Sequence, residues 1–231
     1  MSNYSISWSN KSNKDEVTTL DKNSSIVWSN EAPDYPYYDG NNIAPRCVIG
    51  LDRDGVINID NGVYTSKVSD FKPISGSLEA VAKLRRAGHK IAIITNQGGI
   101  GKGLYTRQDV EKVHDYMFDL LGKAGCTSID ALYYSESSLR NDLFAKPNIG
   151  MFKRCEEENP YIKFKKGYFV GDKISDLKAA FKIGAKPVLV RTGHGEDTVK
   201  ELNKFSNQKI KKKTIIFDDL SSFVNWLETQ Y

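Results

Sequence analysis

Six short apolar runs, each followed by a polar turn or a segment of helical periodicity, restrict the folds open to this chain. They are CVIGLD from Cys47, KIAIITN to Asn96, IDALYYS to Ser135, GYFVGD to Asp172, PVLVRTG to Gly193 and TIIFDD to Asp219. Between them, Leu78, Val81 and Leu84 recur at helical spacing in residues 77–87, with Gly88 placed as a C-terminal cap. Val110, Val113, Met117 and Leu121 form one stripe in residues 106–122, with Thr106 or Gln108 near its start. Residues 150–158, ISDLKAAFKI before Gly184, and a stretch holding Leu220, Phe223, Val224 and Leu227 complete the helical set. Strands this short alternating with helices predict an α/β fold with a mostly parallel sheet covered on both faces. The first four runs each end in a polar residue: Asp52, Asn96, Ser135 and Asp172. The carboxyl ends of such strands line a common crevice where ligands bind, so these ends are the first candidates for a site.

Residues 1–45 have another character. They are rich in Ser, Asn, Asp and Lys and carry two echoes, SISWSN around Trp8 and SIVWSN around Trp28. They read as a polar, partly ordered N-terminal arm, or as a docking segment for self-association or another protein; residues 46–231 are expected to form one domain. The 33 Lys plus Arg against 29 Asp plus Glu give a formal charge of +4, a mild excess that makes a nucleic-acid partner an unfavoured reading. Two clusters, Lys163/Lys165/Lys166 and Lys209/Lys211/Lys212/Lys213, hold much of it, either as solvated surface or as an anion patch. Cys47, Cys126 and Cys155 are widely spaced with no CxxC pair, which gives no sign of a disulfide scaffold or a cysteine-rich metal site. The start MSNYSISWSN lacks the basic and apolar regions of a signal peptide, and no stretch approaches a membrane span. A soluble, cytoplasmic protein with no membrane partner is expected.

Four motifs carry chemistry. In LDRDGVIN, Asp52 and Asp54 stand one residue apart before a turn that Gly55 permits. Two carboxylates so placed can divide labour, one attacking phosphorus while the other donates and removes protons. Alone, the pair also suits an ordinary acidic turn; a helix-loop-helix calcium loop is disfavoured because Val56, Ile57 and Asn58 cannot continue its ligand series. In ITNQGGIGKG, Thr95 can donate a hydroxyl to an anion and the glycines can offer backbone donors; the order does not fit a P-loop. In AKPNIGMF, Lys146 supplies a cation for a transferring phosphoryl group, or simply a surface turn. In VGDKISD, Asp172 and Asp176 either cap a helix or, with Asp52 and the backbone carbonyl of Asp54, hold a hydrated Mg²⁺, which an oxygen-only set suits better than zinc.

These motifs, in this order, resemble those of the haloacid dehalogenase superfamily over roughly residues 47–193. The resemblance implies a Rossmannoid three-layer sandwich without a large cap domain, and an Mg-dependent phosphomonoesterase working through an aspartyl-phosphate. It implies Asp52 as nucleophile, Asp54 as acid/base, Thr95 as the phosphate-binding hydroxyl, Lys146 as the catalytic lysine, and Asp172 and Asp176 as metal-binding acids. Within the superfamily, LDRDGVINIDNGVY, TNQGGIGKG, KPNIGMF and VLVRTG are similar to the heptose 1,7-bisphosphate and histidinol-phosphate phosphatases. That branch implies removal of the C7 phosphate in ADP-heptose synthesis for lipopolysaccharide or related sugars. Arg53, Asn96, Gln97, Gly98 and Lys102 are then expected near substrate; His89 is expected at the surface and His114 in a structural role, and His194, in RTGHG, is the one histidine with a route to the active face, a place away from it being the favoured reading.

The chain also departs from the branch. Ser135, Glu136 and Ser137, and Asp142, Leu143 and Phe144, occupy positions where many members carry cysteine and histidine ligands. Structural zinc is therefore not expected. Ala145 replaces an arginine that holds substrate phosphate in the family, and Arg140 is the candidate to compensate. Rival readings are another small sugar or histidinol phosphate, a polynucleotide 3′-phosphate, and a binding protein that keeps the fold without turnover.

Overall fold

The structure, a computed structural model, describes residues 47–139 and 141–230; the expectations for the N-terminal arm and for Arg140 fall outside these residues. Strands β1 (Val48–Leu51), β2 (Lys90–Asn96), β3 (Ala131–Ser135), β4 (Tyr168–Gly171), β5 (Lys186–Val190) and β6 (Ile215–Phe217) form one sheet. Its order is β3-β2-β1-β4-β5-β6 and every neighbouring pair is parallel. The chain moves one way from β1 through β2 to β3, then returns to place β4 on the other side of β1. That reversal opens a crevice beyond the carboxyl ends of β1 and β4.

Side chains alternate across the sheet. Ile49, Leu51, Ile91, Ile93, Leu132, Tyr134 and Val170 pack on one face with helices α1 (Ser77–Arg86) and α2 (Arg107–Lys123), and with the C-terminal helix Leu220–Glu228. Val48, Ala92, Ile94, Ala131, Tyr133 and Phe169 pack on the other, with α3 (Gly150–Glu158) and α4 (Ile174–Ile183). Helix α5 (Gly195–Leu202) joins this second layer where Leu202 meets Leu177 and Leu189. A short α6 (Gln208–Lys211) precedes β6, and Leu220–Glu228 is α7. The result is the expected three-layer sandwich. Gly50 inside β1 is explained by close packing, since a Cβ there would lie 2.4 Å from the Phe169 ring.

The sequence expectation for His89 fails: it is buried, with Nδ1 3.4 Å from the Cys47 amide and 3.5 Å from its Sγ. The helix–strand junction folds back over the ring instead of leaving it in water. Helix α5 was not foreseen, because Val199 and Leu202 alone make too thin an apolar stripe. Residues 52–76 link β1 to α1 through tight turns, bridges at Asp54–Asn58 and Asn58–Pro73, and one 3-10 turn, Val68–Asp70. Neither this link nor residues 136–149 builds a separate layer, so the described residues include no large cap domain. No described helix is long and apolar enough to cross a membrane.

Candidate active site

Asp52 leaves β1 with its amide still bonded to Val170 O at 2.9 Å. Its Oδ1 accepts from the Arg53 amide at 2.8 Å and faces Lys146 Nζ at 3.0 Å. Among the described residues no hydrogen bond engages Oδ2. Lys146 comes from the β3–α3 link and is buried; Nζ donates to Ile94 O at 2.7 Å and pairs with Asp176 Oδ1 at 2.8 Å. The Asn96 side chain fixes it, accepting from the Lys146 amide at 2.9 Å and donating to its carbonyl at 3.0 Å.

Asp52, Asp172 and Asp176 each offer an oxygen within 4.8 Å of the others, and all three are buried. Burial, opposed by Lys146, pushes the Asp52 carboxyl up, with Asp176 adding to the rise. Burial pushes Asp172 up to about 8; Lys173 opposes this while Asp176 and Asp52 add to it. Asp172 Oδ1 is buried without a hydrogen-bond partner among the described residues, the Lys173 ammonium standing 3.6 Å away. Crowded carboxylates and an orphaned oxygen fit a hard divalent cation, which would supply the missing ligand contact and charge. Two glycines make this crowding possible: a Cβ on Gly55, at φ 89°, would sit 2.2 Å from Asp172 Oδ2, and one on Gly193, at φ 58°, would sit 2.3 Å from it. The Asp54 carboxylate is not part of this cluster and bonds to Arg53, Asn58 and Gln97 instead.

Opposite the carboxylates, buried Thr95 Oγ1 accepts from Gln97 Nε2 at 3.1 Å. A hydroxyl carries one proton, so that bond leaves Thr95 free to donate into the cavity. The expected glycine cradle is only partly available. The amides of Ile100, Gly101, Lys102 and Gly103 already donate to Gln97, Glu136, Gly99 and Ile100 carbonyls, which leaves Gly98 and Gly99.

Arg53 does not reach the cavity. It is fully buried, gripping Asp54 with Nη2 to Oδ2 at 2.7 Å and Nε to both oxygens at 3.2 Å. Burial alone would raise the Asp54 carboxyl; the Arg53 charge and hydrogen bonds, with Asn58 and Gln97, hold it instead at about 2. Gln97 lines the cavity, but both ends of its amide are committed to protein groups.

The cavity above this floor measures about 390 Å³, and its rim includes Asp60, Tyr64, Lys102, Ser137, Lys173 and His194. Lys102 Nζ donates to Tyr64 OH at 2.8 Å. Lys173 Nζ binds Asp60 Oδ2 at 2.7 Å, and His194 Nε2 lies 3.4 Å from the same oxygen. Residues of the two lysine clusters do not line the cavity. The stretches replacing the expected ligand loop are held by polar bonds: Asp142 Oδ1 accepts from the Phe144 and Ala145 amides at 2.7 and 3.2 Å. Ala145 itself is buried.

A sequence model of the family described as polynucleotide kinase 3 phosphatase matches residues 48–184. D-glycero-beta-D-manno-heptose-1,7-bisphosphate 7-phosphatase of Pseudomonas putida is 37% identical over 177 residues, 77% of this chain and 97% of the relative. D-glycero-D-manno-heptose-1,7-bisphosphate 7-phosphatase of Chlorobaculum tepidum is 39% identical over 67% of this chain and 83% of its own length. The chain is a phosphatase of the haloacid dehalogenase superfamily. A crystal structure of D,D-heptose 1,7-bisphosphate phosphatase from B. bronchiseptica, complexed with magnesium and phosphate, superposes with a TM-score of 0.73 at 28% identity. That likeness covers 80% of this phosphatase and 99% of the solved chain.

Sequence reasoning about the phosphatase missed Asn58, Asp60, Tyr64 and Lys173. Asn58 is buried and donates to Asp54 Oδ1 at 2.8 Å and to Thr65 Oγ1 at 2.9 Å. Its place within LDRDGVIN was a usable signal. Asp60 and Tyr64 carry none, since their loop meets β4 and the glycine turn only in three dimensions. His194 lies on the rim, a place that the sequence reading did not favour.

Proposed function

We propose that this phosphatase removes the C7 phosphate of D-glycero-D-manno-heptose 1,7-bisphosphate through an aspartyl-phosphate on Asp52. The observation that carries the reading is the Asp52–Lys146–Asp176 arrangement beneath a cavity of about 390 Å³, together with heptose-bisphosphatase relatives that match most of the chain. Asp52 Oδ2 attacks phosphorus as the ester bond to the sugar oxygen breaks, and Asp54 gives that oxygen a proton. Water then attacks the phosphorus of the acyl phosphate while Asp54 takes its proton, releasing phosphate and restoring Asp52. Asp54 rests ionised at neutral pH; an incoming phosphoryl anion disfavours that charge and raises its proton affinity. Thr95 donates to a phosphoryl oxygen, and Lys146, whose three donors go to Ile94 O, Asp52 and Asp176, sets its charge beside the nucleophile. Asp52, Asp172, Asp176 and the Asp54 carbonyl would hold magnesium, which supplies charge neutralisation between nucleophile and phosphate when bound.

A second reading is favoured by one finding, the match to the family described as polynucleotide kinase 3 phosphatase. The deciding experiment measures phosphate release with Mg²⁺ from both anomers of the heptose bisphosphate, histidinol phosphate, fructose 1,6-bisphosphate and a 3′-phosphorylated oligonucleotide. A kcat/KM for one heptose anomer at least about 10-fold above the others, a gap of roughly 1.4 kcal/mol in transition-state binding, supports the proposal. A preference for the oligonucleotide or histidinol phosphate overturns the substrate while leaving phosphoryl transfer in place.

A further inference from the structure

A buried chain of polar groups runs from helix α2 to Asp54. Its far end is His114, on the sheet-facing side of α2, with its ring edge-on to Tyr134 at 5.4 Å between centroids. His114 Nε2 lies 3.0 Å from Arg53 Nη1. A guanidinium has only donors, so Nε2 accepts and the proton of the neutral ring sits on Nδ1. Burial first, and the Arg53 charge second, hold this imidazole well below its ordinary value, which agrees with a neutral acceptor. Arg53 spends Nε and Nη2 on the Asp54 carboxylate, and Nη2 also donates to Gln97 Oε1 at 3.1 Å. Gln97 Nε2 in turn reaches both Asp54 Oδ2 and Thr95 Oγ1 at 3.1 Å. Tyr105 OH holds Gln97 Oε1 from outside at 3.1 Å.

This network does more than neutralise a carboxylate. Neighbouring Asp and Arg on an exposed turn would interchange rotamers freely, and the carboxylate would wander relative to the phosphoryl site. Here the guanidinium plane is pinned from behind by an imidazole that packing holds in place. Gln97 ties the carboxylate to the hydroxyl expected to bind the phosphoryl group. Proton transfer requires heavy-atom distances near 3 Å, so a carboxylate left to move loses that function before the nucleophile loses any of its own.

Resting on the proposed phosphatase reaction, we propose that His114, through Arg53, and Gln97, through its bridge to Thr95, are positioning residues that aim Asp54 for proton transfer with the leaving oxygen. The test separates aim from general damage by varying how much the leaving group needs a proton. Phosphoenzyme formation is timed in rapid-quench experiments with an alkyl phosphate, the heptose bisphosphate or another sugar phosphate that the wild type uses, and with p-nitrophenyl phosphate, whose phenolate leaves unaided. His114→Leu, which offers no acceptor to Arg53, is expected to slow the alkyl substrate by about 100-fold, the lower end of general acid contributions, and p-nitrophenyl phosphate by less than about 3-fold. His114→Gln, which restores an acceptor, is expected to recover most of the alkyl rate. Gln97→Leu, far from α2, is expected to show the same dependence on leaving group, and serves where His114→Leu does not fold. Equal slowing of both substrates in a folded variant, or no slowing of either, overturns the positioning role. Absence of wild-type phosphoenzyme with any substrate overturns the proposed reaction itself and this inference with it.

Discussion

The floor and the rim of the cavity are built on opposite principles. On the floor, Asp52, Lys146 and Asp176 are buried and joined through the Lys146 ammonium, while buried Asp172 is held from its own side by the His194 amide at 2.8 Å. On the rim, Tyr64 and Lys102 are exposed, and their mutual bond lies in water. Buried charges remain only where they are paired or bind a cation, whereas an exposed pair contributes little and is readily replaced. In the proposed reaction the floor carries the chemistry and the rim the choice of substrate.

Four experiments can break or sharpen this contrast. The largest effect is expected from Asp52→Asn, which should abolish phosphoenzyme and cost roughly 10⁴-fold or more in kcat, as loss of a covalent nucleophile does. Magnesium-dependent turnover persisting in that variant would remove Asp52 from its role. Lys146→Met comes next, with kcat lower by about 10²–10³-fold. Because it leaves Asp176 unpaired, it should also cost about 3 kcal/mol of stability in urea unfolding. A variant that loses activity without losing stability would show that the floor is less interlocked than its geometry indicates.

Metal withdrawal probes the same floor through pH. The Asp172 carboxyl is raised from 3.8 to about 8, so between these values the folded, metal-free chain holds a proton that the unfolded chain has lost. Its stability should therefore fall as pH rises through this window. Asp54, depressed to about 2, contributes below this range and does not mask the trend. Saturating magnesium removes the need for that proton, so the gap in Tm between magnesium and chelator should widen from pH 5 to pH 9. A constant gap would argue against cation binding by this cluster. The smallest effect is expected at the rim: Lys102→Ala should raise KM about 3- to 10-fold, with kcat nearly unchanged and the melting temperature within a degree or two. A large fall in kcat would make Lys102 part of the floor's chemistry.

Much of this was legible beforehand. Lys90–Asn96 and Gly150–Glu158 begin and end as the apolar pattern indicates. Thr106 caps α2 through a bond from the Asp109 amide at 3.2 Å. The four polar strand ends proved to be neighbours because β3, β2, β1 and β4 are adjacent in the sheet. Less legible was helix α5, which has a share in holding Asp172: the His194 amide donates to Asp172 Oδ2 at 2.8 Å and Thr198 Oγ1 to its carbonyl at 2.7 Å. Such bonds leave no periodic trace. Arg53 and Gln97 were expected to meet substrate, yet their polar groups point to Asp54, His114 and Thr95.

Local pattern marked the six strands and helices α1, α2, α3, α4 and α7, and motif order named the candidate residues for the chemistry, since hydrophobic period and strand-end position are properties of neighbouring residues. Tertiary structure alone decided which polar groups face the cavity and which serve them from behind. That choice depends on donors and acceptors brought together across intervals such as the sequence separation of 61 from Arg53 to His114, where burial requires every charge to find a partner.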